Sequence, residues 1–388
     1  VPADPSPSTG IQPAMSRHGL ANLGNSCYLN SAIQALAHTT AFRNYFGTTA
    51  WESNRHPDRK GEQLVVATAD LVRQLQEPGT KPLMPVGFTR AFITFAHEIN
   101  EDIRPGAQAD AAEAIQILLD GLHTHLARMV RMDISGKPRR TDQVDMLKSL
   151  ESWATYFQKE YSQLIQDFYG QTQTRVVCDR CGSSSTRYEP WSVLKVPIPG
   201  AEQPGAPIPS LKECLAAAME TDTIDDYACD GCKNKGSAKM YHAISRFPPT
   251  LILSIKRFTN SGKKIVARVQ YDAENIDLSE WRAWRSLQPL STTKYRVASV
   301  VDHLGSMGGG HYVMRGRNPE GWFLFDDWNV AHIGATAADA VVPIATAATV
   351  ATPDAAPVPI ATPVAMPQGK PIGGDASPNT YILCLERI

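Results

Sequence analysis

Residues 19–31 read GLANLGNSCYLNS, and the rest of the chain is best read outward from them. Cys27 stands where a helix begins. Leu29, Ile33, Leu36 and Ala37 recur at helical spacing, so a helix is expected over 25–39 with Asn25 or Ser26 as its N-cap. Gly24 marks the turn before it. Peptide N–H groups and the helix dipole stabilise an anion at such a place, which favours a thiolate at Cys27. A buried, inert thiol satisfies the same stretch, the common fate of a free cysteine.

Distant partners separate these readings. Residues 305–316, GSMGGGHYVMRG, set His311 behind three glycines at the opening of a strand, a base beside a flexible loop. A histidine in a glycine-rich hairpin explains that segment equally well by itself. Residues 322–330, WFLFDDWNV, form an apolar strand ending in Asp326 and Asp327. If this strand pairs antiparallel with that of His311, a carboxylate comes back beside the imidazole. There it fixes the tautomer and stabilises the imidazolium. Solvated turn acids would account for the pair alone. The three segments together favour Cys27 as nucleophile, His311 as base and Asp326 as its orienting acid.

Around these segments the texture divides in two. Helices are expected over 61–77, 86–99 and 109–128, the last with Ala111, Ala114, Ile115, Leu118, Leu119, Leu122 and Leu126 on one face. Strands are expected within 170–200 and over 250–258, 295–302, 311–315, 322–326 and 380–386, with a short helix over 210–220. Trp322, Phe325 and Cys384 read as core. The fold class is therefore α+β, with a mainly helical first half and a mainly antiparallel second half. Residues 1–17 are Pro/Ser-rich and read as a flexible lead-in. Residues 335–379, rich in Ala, Pro and Thr, read as a low-complexity insertion, mobile and dispensable for catalysis.

Composition narrows the function. The 388 residues are 43% hydrophobic and 20% charged, with a net charge of -1. A near-neutral balance speaks against a nucleic-acid partner, whose phosphates call for a basic excess. No run approaches the roughly 20 apolar residues of a membrane span. The chain begins with Val1, as a piece of a longer protein would, and its start has neither the basic nor the apolar region of a signal peptide. Seven cysteines, an odd number, disfavour a disulfide framework and point to a reducing intracellular compartment, cytoplasm or nucleus. Four of them form two Cys-x-x-Cys pairs, Cys178/Cys181 and Cys229/Cys232. Two such knuckles suit a tetrahedral zinc site with no open position, hence a structural Zn2+. Four reduced cysteines at a site that has lost its metal are the alternative. Catalysis by a thiolate calls for no cofactor.

The motifs together resemble the ubiquitin-specific proteases, papain-like cysteine deubiquitinases. Residues 19–31 look like the family's Cys box, residues 295–333 like its His box, and RFPPTLILSIKRF (246–258) like the core strand between them. The resemblance runs over 18–333 and resumes at 380–388. It implies one catalytic domain over 18–388, laid out like a hand: a helical thumb (18–165), zinc-ribbon fingers (166–250) and a β-rich palm (251–334 and 380–388). It implies that Cys27 attacks the carbonyl at ubiquitin's C-terminus. Asn22 would act as an oxyanion donor worth about 2.7–4 kcal/mol, and Asp327 would assist the oxyanion or the histidine. GAQADAAEAIQILLDGL (106–122) is similar to the family's tail-binding helix. It implies substrate contacts at Gln108, Asp110 and Glu113, with Asp110 meeting an arginine of the tail, and a channel-lining role for Tyr312. The solvated face of a helix would also explain Asp110 and Glu113. Ala109, Ala112 and Ala114 depart from the family's larger residues, which leaves open another ubiquitin-like modifier or an ester-linked ubiquitin as substrate. A weakly active ubiquitin-binding module and a zinc-ribbon scaffold are the competing functions; the intact Cys and His boxes disfavour both.

Overall fold

The computed structural model describes residues 17–56, 58–201, 207–259, 261–284, 292–306, 309–335 and 375–388. The proposed lead-in, except Arg17, and nearly all of the 335–379 insertion lie outside the described residues.

Among the described residues, seven α-helices form the first half: α1 (Cys27–Ala37), α2 (Thr40–Phe46), α3 (Glu62–Gln76), α4 (Val86–His97), α5 (Ala111–Leu126), α6 (Thr141–Phe157) and α7 (Gln163–Phe168). The strands follow, with α8 (Leu211–Ala218) among them. β1 (Gly170–Cys178), β2 (Ser184–Trp191), β4 (Asp222–Ala228) and β5 (Lys235–Arg246) form a four-stranded sheet in the order β2-β1-β5-β4. The larger sheet contains β3 (Val193–Val196), β6 (Thr250–Ile255), β9 (Lys294–Ser306), β10 (Gly309–Asn318), β11 (Gly321–Asp326), β12 (Asn329–Gly334) and β14 (Thr380–Arg387). Its order is β12-β11-β10-β9-β14-β6-β3, with β8 (Ile276–Asp277) also paired to β9. β7 (Val269–Tyr271) pairs with β13 (Asp375–Ser377). The large sheet is antiparallel except where β3 runs parallel to β6.

β6 and β14 show why their sequences read as unbroken apolar runs. On β6, Ile252 faces the helical core, while Leu251, Leu253 and Ile255 face a second core built with α8. On β14, Cys384 faces the first core and Leu383 and Leu385 the second. A strand covered on both sides has no polar face to alternate with.

α1 differs from its expectation. It is buried on every side, not along one face. Two bonds tie it to its surroundings: Gln34 Nε2 donates to the His18 carbonyl at 2.8 Å, and Ser299 on β9 donates to the Ala35 carbonyl at 2.9 Å. These bonds seat the helix against both halves of the molecule. α2, α6 and α7 have no counterpart among the expected helices. α6 hides its period because polar residues occupy its buried face: Asp145 binds Arg175 at 2.9 Å, and Ser149 donates to Gln171 at 2.6 Å.

Under the large sheet, Arg315 and Asp302 form an ion pair with no exposed surface, 2.6 Å apart. Arg257, equally buried, donates to the carbonyls of Ile265, Ala267, Ser377 and Thr380. Each buried charge is thus matched to acceptors, as burial demands.

Candidate active site and cysteine cluster

The loop before Cys27 is shaped by one side chain. Asn22 Oδ1 accepts from the Gly24 N–H at 3.0 Å and the Ser26 N–H at 3.1 Å, folding residues 22–26 into a turn. Gly24 (φ +95°) and Asn25 (φ +53°) both take left-handed backbone. A Cβ at Gly24 would meet nothing within 4 Å, so the backbone angle, not crowding, calls for glycine there. Neither expected cap serves: Ser26 holds the N-cap position without a side-chain cap bond, and Asn25 Nδ2 donates instead to the Gly106 carbonyl at 2.7 Å. The Leu29 N–H donates to the Ser26 carbonyl at 3.1 Å, and no side chain caps the Cys27 and Tyr28 N–H groups ahead of it, beside a thiol that is 5% exposed.

The β10–β11 hairpin brings the other two groups together. Its register, Met314 opposite Phe325, sets Asp326 across from Val313, and His311 lies two residues beyond on the same face. His311 Nε2 and Asp326 Oδ1 are 2.6 Å apart. The imidazole is raised from 6.5 to about 10, chiefly by the Asp326 hydrogen bond, then by Cys27, with burial opposing both. With Asp326 on Nε2, Nδ1 is the nitrogen left to face Cys27. The arrangement can hold an imidazolium beside a thiolate. His311 sits third in β10 instead of opening it; Gly309 and Gly310 are paired to Ser306 and Gly305 of β9. The expected mobile lid falls partly on residues 307–308, outside the described residues.

Asp327 ties the two halves. It adopts φ +48°, a left-handed conformation that is uncommon outside glycine and that Asn and Asp tolerate best among the rest. Its Oδ2 accepts from Asn22 Nδ2 at 2.9 Å, its Oδ1 from Asn30 Nδ2 at 2.8 Å, and its carbonyl from the Leu20 N–H at 2.9 Å. One N–H of the exposed Asn22 amide is thus committed to Asp327, and the amide carries a second.

A cavity of about 650 Å³ opens at Cys27 and is lined by Gln108, Asp110, Glu113, Tyr312 and Tyr381 among others. The four sequence-derived contact residues therefore share one wall system. Tyr381 was not among them, nor was His303. Asp110 is the N-cap of α5: Oδ1 accepts from the N–H groups of Ala112 and Glu113, both at 2.9 Å. Oδ2 accepts from the Tyr312 hydroxyl at 3.4 Å and the Tyr381 hydroxyl at 2.5 Å. Burial and the Asp110 charge push both phenols up, so they remain donors. Glu113 accepts from Asn100 at 2.8 Å, and Gln108 Nε2 reaches the Gly310 carbonyl at 3.5 Å. His303 meets Tyr312 edge-to-face with ring centroids 4.7 Å apart, and it underlies Gly310 so closely that a Cβ there would stand 2.2 Å from its Nε2. Ala112 and Ala114 are buried and Ala109 half-buried. The Asp-x-x-Glu spacing at 110–113 is itself a helix-start signal that sequence reading could have used.

The four paired cysteines meet at the tip of the smaller sheet. The sulfurs of Cys178, Cys181, Cys229 and Cys232 all lie within 4.8 Å of one another, with Cys181 and Cys229 3.6 Å apart. A tetrahedron of zinc–sulfur bonds near 2.3 Å places its sulfurs about 3.8 Å apart. The two knuckles are built alike: the Gly182 N–H donates to the Cys178 carbonyl, the Lys233 N–H to the Cys229 carbonyl, and both donors have left-handed backbone. These four thiols could hold a metal ion. Burial pushes the thiols of Cys214 and Cys384 up to about 11 and about 12, which suits core residues. Among the described residues, no helix is long and apolar enough to cross a membrane.

Comparison with known proteins agrees with this geometry. Rat ubiquitin carboxyl-terminal hydrolase 21 is 25% identical over 337 residues, covering 81% of this chain and 58% of that protein. Human ubiquitin carboxyl-terminal hydrolase 2 is 28% identical over 327 residues, covering 82% and 52%. The chain thus spans a little over half the length of these relatives. Among solved structures, the Ubp8/Sgf11/Sus1/Sgf73 module bound to ubiquitin aldehyde superimposes with a TM-score of 0.64 at 18% identity, covering 97% of this chain and 72% of that one. The same module bound to monoubiquitin gives 0.63 at 18% identity, covering 99% and 72%. This supports the α+β fold with thumb, palm and fingers. The sequence profile described as ubiquitin carboxyl-terminal hydrolase matches residues 18–358, most of the chain, and the chain belongs to that family of ubiquitin-specific proteases.

Proposed function

We propose that the chain is a thiol-dependent deubiquitinase, hydrolysing the bond after the C-terminal glycine of ubiquitin attached to a protein or to another ubiquitin. The observation that carries this is the 2.6 Å pairing of His311 with Asp326, with Cys27 at the imidazole's other nitrogen. The Cys27 thiolate attacks the glycine carbonyl carbon. The oxyanion meets the open N–H groups at the start of α1 and the second N–H of Asn22. His311 gives its proton to the departing lysine amine, leaving a thioester on Cys27. A water, deprotonated by His311, then releases the ubiquitin carboxylate and restores the thiol. Asp326 stabilises the imidazolium, and Asp327 holds Asn22 in place.

The ubiquitin tail would occupy the cavity of about 650 Å³ along Gln108, Glu113 and Tyr312. Asp110 enters as a fixed negative charge facing a basic tail, because its oxygens are already engaged by α5 and the two tyrosines. Residues 166–250 serve as fingers, stapled by a structural Zn2+ on Cys178, Cys181, Cys229 and Cys232; the ion would supply rigidity and no chemistry. Residues 18–165 form the thumb, and 251–334 with 380–388 the palm. A free nucleophilic thiol and four thiolates suit a reducing compartment, cytoplasm or nucleus.

Two measurements test the reading. A ubiquitin probe with an electrophilic C-terminus should form an adduct with the chain and none with Cys27→Ala. Cleavage of a panel of fluorogenic modifiers should favour ubiquitin. The small Ala109 and Ala112 in the channel wall make other modifiers and ester-linked ubiquitin the necessary comparison. Residual activity in Cys27→Ala would refute the nucleophile.

A further inference from the structure

Trp328 is 62% exposed. A lone exposed aromatic on a protein surface needs no explanation, but this one is held in an unusual way. It is the second residue of the two-residue turn joining β11 to β12, where Asp326 pairs with Asn329. Asp326 carries the carboxylate on His311, so the indole starts two residues from the catalytic hydrogen bond. The turn is fixed from the other side by the segment that bears Cys27. Gly19 packs so tightly against the Trp328 carbonyl that a Cβ at 19 would stand 2.3 Å from its oxygen. Leu20, Asn22 and Asn30 all donate to Asp327. A left-handed residue persists when its surroundings over-determine it, and these bonds do so at Asp327. The fold therefore presents an apolar side chain to solvent on a clamped backbone, which is the opposite of a frayed loop tip.

The proposed reaction leaves a place for it. The acyl half of the substrate occupies the cavity along Asp110, Tyr312 and Tyr381, and Trp328 is not among that cavity's lining residues. The other half, the lysine whose amine departs, must lie within proton-transfer reach of His311 and outside that cavity. The edge formed by Asn22, Asp327 and Trp328 is continuous with His311 through Asp326. A lysine side chain offers four methylenes between its amine and its backbone, an apolar stem that stacks on an indole face.

We propose that Trp328 is a specificity-determining residue on the leaving side, packing along the stem of the lysine that ubiquitin is released from. The inference rests on the deubiquitinase reading and deepens it. It concerns the amine half of the bond, about which the tail cavity says nothing.

The experiment uses the full chain, Trp328→Ala and Trp328→Phe on three ubiquitin substrates that share the acyl half and the thioester intermediate. One carries a methyl ester, one an aminocoumarin, and one an isopeptide bond to a lysine within a fluorescent peptide. For Trp328→Ala, kcat/KM on the lysyl peptide should fall roughly tenfold, the scale on which apolar contacts discriminate. The methyl ester should stay within about twofold of the parent, and Trp328→Phe should recover most of the loss. The pH profile on the methyl ester should not move, since His311 and Asp326 are undisturbed. An equal fall on all three substrates would mean that Trp328 merely supports the turn, and no fall on the lysyl peptide would remove its role; either result overturns the proposal. If the unmodified chain turns over none of the three, the deubiquitinase reading itself fails and the proposal goes with it.

Discussion

Asp110 caps helix α5 through one carboxylate oxygen and accepts the hydroxyl of Tyr381 on the other at 2.5 Å, from a strand 271 residues further along the chain. The same oxygen takes the Tyr312 hydroxyl. One side chain thus joins the helical half to two strands of the large sheet, beside Cys27.

Asp110→Ala removes the cap and strands two phenols that are 7% and 8% exposed. The lost cap costs about 1 kcal/mol and each stranded hydroxyl about 1–3 kcal/mol, with the terms overlapping. Urea unfolding should show a loss of about 2–4 kcal/mol, against ~1 kcal/mol for Tyr381→Phe. Equal losses in the two variants would show that the tyrosines find other partners.

Asp326→Asn should leave the fold intact and lower kcat on the order of 10³-fold, because the imidazole loses both its orientation and its countercharge. The pH dependence has a definite sign. The His311 imidazolium persists until the pH rises through about 10, and Asp326 is the first cause. In the variant it is lost at lower pH, so the alkaline limb of kcat/KM should move down. A group raised in the folded state also favours folding below its ordinary value of 6.5, and that contribution disappears as the pH climbs towards 10. Identical alkaline limbs in the two proteins would contradict the ion pair.

Gly310→Ala tests the support under His311. The added carbon would stand 2.2 Å from His303 Nε2 and 2.6 Å from the Leu304 carbonyl oxygen, and the backbone atom cannot step aside. The start of β10 must shift, and a displacement near 1 Å at a catalytic group costs about 10²-fold. Single-turnover kinetics should show kcat falling with little change in melting temperature. An unaffected kcat would mean that His303 and the β9–β10 ladder do not set the position of His311.

Metal analysis should find one zinc per chain, and Cys181→Ser should lose it. Removing the ion leaves four clustered thiols and loosens the tip of the β2-β1-β5-β4 sheet, so thermal unfolding should begin earlier. The cluster shares no residue with the Cys27 cavity. The kinetic cost should therefore appear in KM for ubiquitin substrates, with kcat nearly kept. A matching fall in kcat would place the fingers' rigidity within the chemical step.

Much of this site is legible in the chain because its parts are local. Cys27 sits inside a turn and helix start of a dozen residues, His311 and Asp326 lie on one hairpin, and the Cys-x-x-Cys pairs announce themselves. Tyr381 and His303 are different. TYILCLE reads as a buried strand and nothing more, and the role of Tyr381 appears only once β14 lies beside β9 and Asp110 has been carried to it by α5. His303 is one more residue of a β-strand until register sets Tyr312 opposite it and brings Gly310, two residues along β10, against its ring. α6 escaped because Asp145 and Ser149 stand where apolar residues would mark its buried face, their cost met by partners on another element.

The place of β14 in the sheet has a temporal meaning. β9 and β6 are not neighbours; they are joined through β14, residues 380–387, which pair with both. A ribosome delivers Cys27 early and His311 and Asp326 later, but the middle of the sheet that carries the histidine is missing until these residues emerge. On the deubiquitinase reading, Cys27, His311 and Asp326 would all be present before the strand that closes the middle of that sheet. Activity would then depend on a strand that contains none of the three proposed reacting groups.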